Sequence, residues 1–325
     1  MRPADVGKRV GAFALVALLV AGAVAGAAAL TGAASDDGFT SAELSVEGHQ
    51  SPVVASQPTE TGQIDVSADA SGKVVVVDDA HGNDVSEIQL RPLVNALTEA
   101  GHTVKFYRPE RGPSGRTLNA TLRNADAFVS LAPANRFGSG EADALSAFLD
   151  AGGRVLLAGE PEGASGAASV LGITVSVGGA ASTAEFAPAV SPHGVTVGSG
   201  YLYDLTENVN NHANVPVTPT GSGALTEGVD RVVVSVATPV TGPNVLLRTQ
   251  PTAELSTTRD RGRYGVLARN GNLTVLGDAS VFDPDWAYVA DNEVLLGNLA
   301  DFLVSGDRSP MPEPTGGESG PRRPA

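Results

Sequence analysis

The sequence has no cysteine and few basic residues, and each shortage excludes classes of function. Without cysteine the chain forms no disulfide, no thiolate metal site, no thiol-linked lipid and no Cys nucleophile. It has 21 basic residues against 36 acidic ones, a formal net charge of −15, and its only lysines are Lys8, Lys73 and Lys105. Because nucleic acid requires a basic footprint, we predict that it is not a partner.

Common catalytic sequence patterns are also missing. The chain has no Gly-x-Ser-x-Gly elbow, no phosphate-binding P-loop and no Gly-x-Gly-x-x-Gly after its first predicted strand. It is instead rich in alanine, glycine, valine and acidic residues. This composition is typical of salt-loving organisms, in which a high surface charge keeps proteins soluble although salt screens each charge. We therefore expect a halophilic protein without a standard catalytic motif.

The amino-terminal region contains one long uncharged run, Val10–Thr31. About 20 such residues span a bilayer, so we predict a transmembrane anchor. Three basic residues lie within positions 1–9, which places that flank in the cytoplasm and the rest of the chain outside it, as a single-pass membrane protein. The alternative is a signal peptide cleaved after the small residues Ala21–Ala23 or Ala27–Ala29.

Composition divides the rest of the chain into a stalk, a domain and a tail. Residues 32–72 are polar with weak periodicity, which predicts a flexible stalk. Residues 73–304 carry the regular patterns of one α/β domain, interrupted at 162–228 by a Gly, Ala, Ser and Thr-rich segment that predicts an irregular or β-rich insertion. Residues 305–325 are rich in proline, glycine and charge and predict a disordered tail.

Short apolar runs alternate with helical patterns in the first half of the domain. This alternation predicts a doubly wound, mostly parallel sheet of the flavodoxin-like kind. The predicted strands are Val74–Val77, Thr103–Tyr107, 127–131 and Val155–Ala158. The predicted helices are one around Leu90–Leu97 with a Ser86/Gln89 capping box, Leu118–Arg123, one capped by Ser139, a short one at Ala164–Leu171, and a last one capped by Asp291. Pro92 conflicts with that capping box because it lacks an N–H, so the first helix either begins near Arg91 or has a kinked first turn.

A hairpin is predicted at Tyr264–Gly277. Two apolar runs there flank Asn270-Gly271, a strong signal for a two-residue turn between antiparallel strands. We expect the second strand of this hairpin to enter the main sheet.

Polar residues follow the predicted parallel strands, where such sheets bind ligands. The candidate ligand-binding residues are Asp78, Asp79, His81, Asn135, Arg136, Glu160, Asp278 and Ser280. They can line a ligand crevice or a hard-cation site, and the alternative is that they only form turns and caps. His81 is the only histidine among these candidates, so zinc is not expected. We predict no metal, no cofactor and no catalytic residue. Asn119 and Asn272 lie in glycosylation sequons.

Several segments together resemble a known family. They are VVVVDDAHGND, EAGHTV, NADAFVSLAP, FGSGEADALSAFLDAGGRVLLAGEP, GYLYDLTENVNNHANV, LTVLGDASVFDPD and DNEVLLGNLADFL, within residues 73–304. The chain resembles a membrane-tethered domain-of-unknown-function family of salt-loving archaea and bacteria. The resemblance implies a class I glutamine amidotransferase-like fold, as in auxiliary subunits of gliding-type ABC transporters. Amidotransferases of this fold use a Cys–His pair, so the missing cysteine excludes that activity.

Three hypotheses of function follow. The first is a non-catalytic extracytoplasmic domain that binds an envelope ligand or a membrane-protein partner. The second is an accessory subunit of an ABC-type transport complex. The third is a hydrolase or metal-assisted enzyme that uses Asp79, His81 and Asp278.

Overall fold

The protein's structure is a computed structural model. It describes residues 61–83, 87–108, 117–161 and 185–311, together with the backbone of 167–170 and 173–176. The predicted anchor at Val10–Thr31 and most of the predicted stalk and tail lie outside these ranges. Across the stretches that the structure describes, no helix has the length and apolarity needed to cross a membrane.

Five parallel strands form one half of a nine-stranded sheet. They are β1 Val74–Asp78, β2 Thr103–Tyr107, β3 Ala127–Leu131, β4 Arg154–Ala158 and β15 Leu273–Leu276. Their order across the sheet is β2-β1-β3-β4-β15, with parallel pairing at every step. The first four strands were predicted within one residue of these bounds. Numbered among the parallel strands alone, the order is 2-1-3-4-5, one of the two common doubly wound orders.

Helices cover both faces of the parallel half. They are α1 Arg91–Glu99, α2 Leu118–Leu122, α3 Ser139–Asp150, α4 Ala187–Val190 and α5 Asn292–Val304. Side chains alternate between faces along each strand, so Val75 and Val77 pack in one core with α1 and α5, while Val76 packs in the other with α2 and α3. Burial on both faces explains why the strands read as continuous apolar runs.

The other half of the sheet is antiparallel. It consists of β9 Asn214–Pro219, β10 Val232–Ser235, β12 Val245–Thr249 and β14 Gly265–Asn270. The order continues from β15 as β14-β12-β9-β10. The predicted hairpin joins β14 to β15, and Gly271 in its turn has φ 57°, a conformation that favours glycine. Its second strand enters the main sheet beside β4, as expected.

Three small two-stranded sheets complete the described part. They pair β5 Ala167–Val170 with β6 Ile173–Ser176, β7 Thr196–Val197 with β11 Val240–Thr241, and β8 Leu202–Tyr203 with β13 Glu254–Leu255. The helix predicted at Ala164–Leu171 is therefore wrong where the structure describes it, because β5 pairs antiparallel with β6 through a short connection. This segment has few large apolar residues, so its hydrophobic periodicity does not distinguish a helix from a strand.

Two helix starts decide between the predicted caps. Helix α1 begins at Arg91, the alternative start predicted from Pro92, with Leu90 as its N-cap residue and Pro92 in its first turn. Gln89 therefore lies outside the helix, and Ser86 is outside the described residues. Proline lacks an N–H and fits the first turn, where that group has no helical partner. Helix α3 begins at Ser139, one residue after its N-cap Gly138.

The described end of the predicted stalk is attached to the domain. Ile64 is buried, and the carboxylate of Asp301 in α5 accepts hydrogen bonds from Ser67 N (2.7 Å), Ser67 Oγ (2.5 Å) and Ala68 N (2.8 Å). Gly297 allows this approach, because a Cβ there would lie 2.6 Å from the carbonyl oxygen of Asp65. The flexible stalk prediction therefore does not hold for residues 61–68.

Candidate functional site

His81 lies between two carboxylates just beyond β1. Its Nδ1 is 2.9 Å from both carboxylate oxygens of Asp78, and its Nε2 is 3.2 Å from Glu141 Oε2 on α3. The imidazole also stacks on Phe137, with ring centroids 3.9 Å apart. His81 is only 5% exposed. The ring therefore joins the loop after β1 to the first turn of α3.

Asp78 is fully satisfied although its side chain is buried. Besides His81, its carboxylate accepts hydrogen bonds from Ser130 Oγ (2.6 Å), Ala80 N (3.1 Å) and Asn83 Nδ2 (3.4 Å). Ser130 is the register neighbour of Asp78, because Val77 pairs with Val129 one position earlier. Donors from a neighbouring strand and from the loop after β1 therefore compensate for the loss of hydration at this carboxylate.

The same contacts determine the charge of His81. Burial lowers the pKa of His81, but hydrogen bonding to Asp78 and the charges of Asp78 and Glu141 raise it by more. The net result is a pKa above its ordinary value of 6.5. The protonated imidazolium is thus favoured as a bridge between the two carboxylates.

The cluster of Asp78, His81 and Glu141 lies where the sheet changes direction. From β1 the chain first adds β2 on one side and then β3 on the other, so the β1/β3 boundary is the topological switch point. Doubly wound domains bind ligands outside the carboxyl ends of the strands at this point. Asp78 is the last residue of β1, and Ser130 is the second-last of β3.

A cavity of about 550 Å³ opens beside this cluster. It is lined by Tyr107 at the end of β2, by residues 117–119 at the start of α2, and by Gly138, Gly140 and Glu141 at the start of α3. Glu141 Oε2 also accepts the N–H of Gly138 at 2.9 Å. Glu141 therefore connects the cavity directly to His81 and the end of β1.

A second carboxylate cluster lies after β4 and β15. Asp278 has no exposed surface and accepts hydrogen bonds from Ser235 N (2.8 Å) and Ser280 N (2.7 Å), while Glu160 Oε1 accepts one from Ala279 N (3.0 Å). Burial raises the pKa of Asp278 to about 6. Burial and the charge of Asp278 raise the pKa of Glu160 well above its ordinary value. These raised pKa values favour a pair of carboxyl groups that shares one proton.

The side chains of the remaining predicted residues belong to neither cluster. Asp79 faces solvent and forms an ion pair with Arg108, which also binds Glu87. Asn135 and Arg136 are exposed in the turn after β3. The backbone N–H of Asn135 donates to the carbonyl of His81 at 2.8 Å.

The hypothesis of one site made of Asp79, His81 and Asp278 needs correction. All three follow parallel strands at the same edge of the sheet, as predicted. However, β3 and β4 lie between β1 and β15, so about three strand spacings, or about 14 Å, separate the two clusters. Asp78, rather than Asp79, contacts His81 because its side chain continues the strand alternation towards α3.

Sequence reasoning did not identify Glu141, Ser130 and Asn83 as members of the site. Strand alternation carries a signal for Asp78 and Ser130, since both lie on the face that packs against α3. Glu141 lies 60 positions from His81, and only the packing of α3 brings them together. Across the part of the chain that the structure describes, no group of three or more acidic and histidine side chains is arranged to hold a metal ion.

The two predicted glycosylation sites differ in their surroundings. Asn119 is partly exposed beside the cavity, and its Oδ1 accepts a hydrogen bond from Arg123 Nε at 3.3 Å. Asn272 follows the hairpin turn, where its Oδ1 binds Arg154 and its Nδ2 lies 3.5 Å from the carbonyl of Leu149.

Together, the mixed sheet and the crevice at its switch point define an α/β domain with a large central sheet, parallel in one half and antiparallel in the other. Comparison with family models identifies it further. The chain belongs to the DUF4350 family, a domain of unknown function, which matches residues 79–299. No curated protein matches the chain.

Solved structures show a related fold. The chain resembles the mmIFT52 N-terminal domain with a TM-score of 0.55 and 14% sequence identity. The match covers 72% of this chain and 98% of the other. At this identity the similarity concerns the fold alone.

Proposed function

We propose that this protein is a non-catalytic binding module, anchored to the membrane and exposed outside the cytoplasm. Its ligand is an envelope component that occupies the cavity between α2 and α3. One observation carries the proposal: Glu141 lines that cavity and is also bonded to His81 at the switch point. A ligand in the cavity therefore contacts Glu141, which is bonded to His81.

The contacts of His81 favour binding over catalysis. A general base requires a ring nitrogen free to accept a proton from the substrate. Here one nitrogen faces Asp78 and the other faces Glu141, and the raised pKa favours the protonated ring. The hydrolase hypothesis is thus the weaker one.

We further propose that the scaffold is amidotransferase-like, with a lost nucleophile. The 2-1-3-4-5 order of the parallel strands supports a flavodoxin-like origin. Ala132 directly follows β3 and has φ 44°, a conformation rare for non-glycine residues and found at strained catalytic turns. Its side chain is a methyl group, which has no nucleophilic chemistry.

The free groups of the cavity indicate the ligand's chemistry. Glu141 uses Oε2 for both of its hydrogen bonds, and Oε1 makes none within the described residues. Tyr107 and Leu118 supply apolar walls. A small molecule with an amine or another donor on an apolar body fits both features.

Gly140 offers a way to close the cavity without disturbing the fold. It lines the cavity within α3, and a Cβ at this position would meet nothing within 4 Å. A leucine there fills the cavity, whereas an alanine leaves most of it open. Both replacements suit a helix better than glycine, by up to ~1 kcal/mol, so neither is expected to unfold the domain.

The test is a thermal unfolding screen of the full chain with primary amines from ethanolamine to glucosamine and tyramine. We expect at least one amine to raise the Tm of the wild type and of Gly140→Ala, but not that of Gly140→Leu. If Gly140→Leu responds like the wild type, the ligand does not occupy this cavity. If no amine stabilises the wild type, the proposed ligand chemistry is wrong.

Membrane attachment is a separate part of the proposal. It is supported by the uncharged run Val10–Thr31 and the three basic residues before it. The intact protein should stay in the membrane fraction after a carbonate wash, whereas recovery of a soluble chain that starts near residue 30 would indicate a cleaved signal peptide.

The net charge of −15 supports a halophilic origin. An ABC-type transport complex is the membrane partner that the family resemblance suggests.

A further inference from the structure

Two arginines lie together at the amino-terminal edge of the parallel strands. Arg154 begins β4, and Arg269 is near the end of the antiparallel strand β14. Both guanidinium groups lie against the ring of Phe302 in α5, with Cζ 5.2 Å and 5.0 Å from its centroid. Both side chains are partly buried. The pair thus concentrates two positive charges beside one aromatic ring.

Neither arginine forms an ion pair with a carboxylate within the described residues, unlike Arg261, which pairs with Glu254 at 2.8 Å. Burial and the charge of Arg269 lower the pKa of Arg154, and burial lowers that of Arg269. Among the described residues, no carboxylate offsets either effect. An anion bound here would relieve the repulsion between the two cations.

A cavity of about 430 Å³ makes Arg269 available to a ligand. Arg269, Asn298, Phe302 and Ser305 are among the residues that line it. The Nε of Arg269 donates to the carbonyl of Gly271 at 2.8 Å, and its two terminal nitrogens make no hydrogen bond within the described residues. This leaves the planar fork that binds oxyanions in a bidentate manner.

Arg154 contributes its charge from a fixed position. Its Nε donates to the carbonyl of Ser305 at 3.2 Å, and its Nη1 binds Asn272 Oδ1.

Two carboxylates also line the cavity. Asp301 is engaged by the three hydrogen bonds from Ser67 and Ala68, while Glu227 is exposed, where solvent and salt screen its charge.

We propose that Arg269, supported by the charge of Arg154, binds a dianionic phosphate group in this cavity. A dianion matches the two positive charges of the pair, and its oxygens match the free edge of the Arg269 guanidinium. The phosphate can be free or the terminal group of a phosphomonoester. This site is independent of the cavity beside Glu141, which lies at the opposite edge of the sheet.

Titration calorimetry of the purified full chain with inorganic phosphate tests the site, with sodium chloride keeping the ionic strength constant. We expect the wild type to bind phosphate and Arg269→Gln to bind it about tenfold more weakly or not at all, since the charge-assisted hydrogen bonds are lost. Arg269→Lys should fall between them, because lysine keeps the charge but lacks the fork. Arg263→Gln, a change at an exposed arginine before β14, should bind like the wild type.

A parallel titration with glycerol 3-phosphate separates the two sources of the phosphate group. Equal binding of both compounds indicates a site for the free anion, while tighter binding of the ester indicates a phosphomonoester. Absence of binding to the wild type, or equal affinities of wild type and Arg269→Gln, would overturn the proposal. Thermal unfolding of each variant without phosphate confirms that it is folded.

Discussion

The two carboxylate clusters at the carboxyl edge of the sheet balance their charge in different ways. Asp78 and Glu141 have His81 between them, and hydroxyl and amide donors complete the shell of Asp78. Asp278 and Glu160 accept backbone N–H groups, and burial raises the pKa of both carboxyl groups, which favours a pair that retains a proton. In the first cluster a cation therefore offsets the charge of the carboxylates, and in the second cluster protonation removes part of it.

The difference identifies which cluster is suited to a ligand. The raised pKa of His81 favours the imidazolium in the first cluster, and this cluster borders the cavity through Glu141. The proton-sharing pair is anchored to the ends of β4, β10 and β15 and holds loops of the two half-sheets together. We therefore propose that the first cluster serves ligand binding and that the second has a structural role.

Replacing His81 with alanine should have the largest effect. The change leaves the Asp78 carboxylate buried without its cation, and loss of one partner of a buried pair costs about 3–5 kcal/mol. Urea unfolding at pH 6 and constant salt measures it. His212→Ala, at an exposed histidine, is the control and should change little. A loss below about 1 kcal/mol for His81→Ala would show that the imidazolium does not compensate Asp78.

Asp78→Asn should have the next largest effect, about 1–3 kcal/mol at pH 6, because the charged acceptor of three side chains is lost. The pKa of His81 should fall, since burial lowers it and only Glu141 would remain to raise it. NMR titration of the His81 ring measures that pKa. An unchanged titration would mean that Asp78 is not the main partner of the imidazole.

Glu160→Gln tests the second cluster and should raise stability at pH 7 by about 1 kcal/mol. The pKa values of Glu160 and Asp278 are raised in the folded state. Their contribution to the unfolding free energy is therefore fully present at a pH below their unfolded-state pKa values. It is lost as the pH rises through their folded-state pKa values, which for Asp278 is about 6. The variant should therefore flatten the decline of unfolding free energy between pH 4 and pH 7.

Urea unfolding across that range measures the slope, and Glu99→Gln at an exposed position of α1 is the control. A slope equal to that of the wild type would refute proton sharing. His81 also contributes to the unfolding free energy in a way that is lost as the pH rises. Its contribution is lost at a higher pH, because its pKa is raised from 6.5.

Asp79→Asn should have the smallest effect. Asp79 pairs with an exposed arginine, and such surface pairs contribute little in salt. Its Tm and its pH dependence should match those of the wild type. A loss as large as that of Asp78→Asn would mean that the two neighbouring aspartates have been assigned the wrong roles.

The sequence alone predicted the parallel half of the sheet better than the rest. Strands β1 to β4 are continuous apolar runs bounded by glycine and polar turns, and such runs arise where both faces are buried. The Asn270-Gly271 turn and the apolar spacing of α5 are equally local signals. The two-residue strands and the order of the antiparallel strands depend on distant partners, so no local pattern encodes them.

The site was predicted at the level of the sheet edge but not of its contacts. Placement after parallel strands located Asp78, His81, Glu160 and Asp278 at one edge, because topology alone determines that edge. Which of them touch depends on strand spacing and on helix packing. Glu141 reaches His81 only because α3 packs on the face that Asp78 shares, and a single sequence does not specify that approach.

The position of β15 also bears on how the chain folds. Val155 of β4 pairs with Leu273 of β15, and 273 minus 155 gives a separation of 118 residues. The strand pairs on either side are more local, since β15 forms a hairpin with β14 and β4 pairs with β3. Pairs of large sequence separation form slowly because a long loop must close first. We therefore expect the strands from β2 to β4 and the strands from β15 to β10 to form early, and the pairing of β4 with β15 to be the slow step of folding.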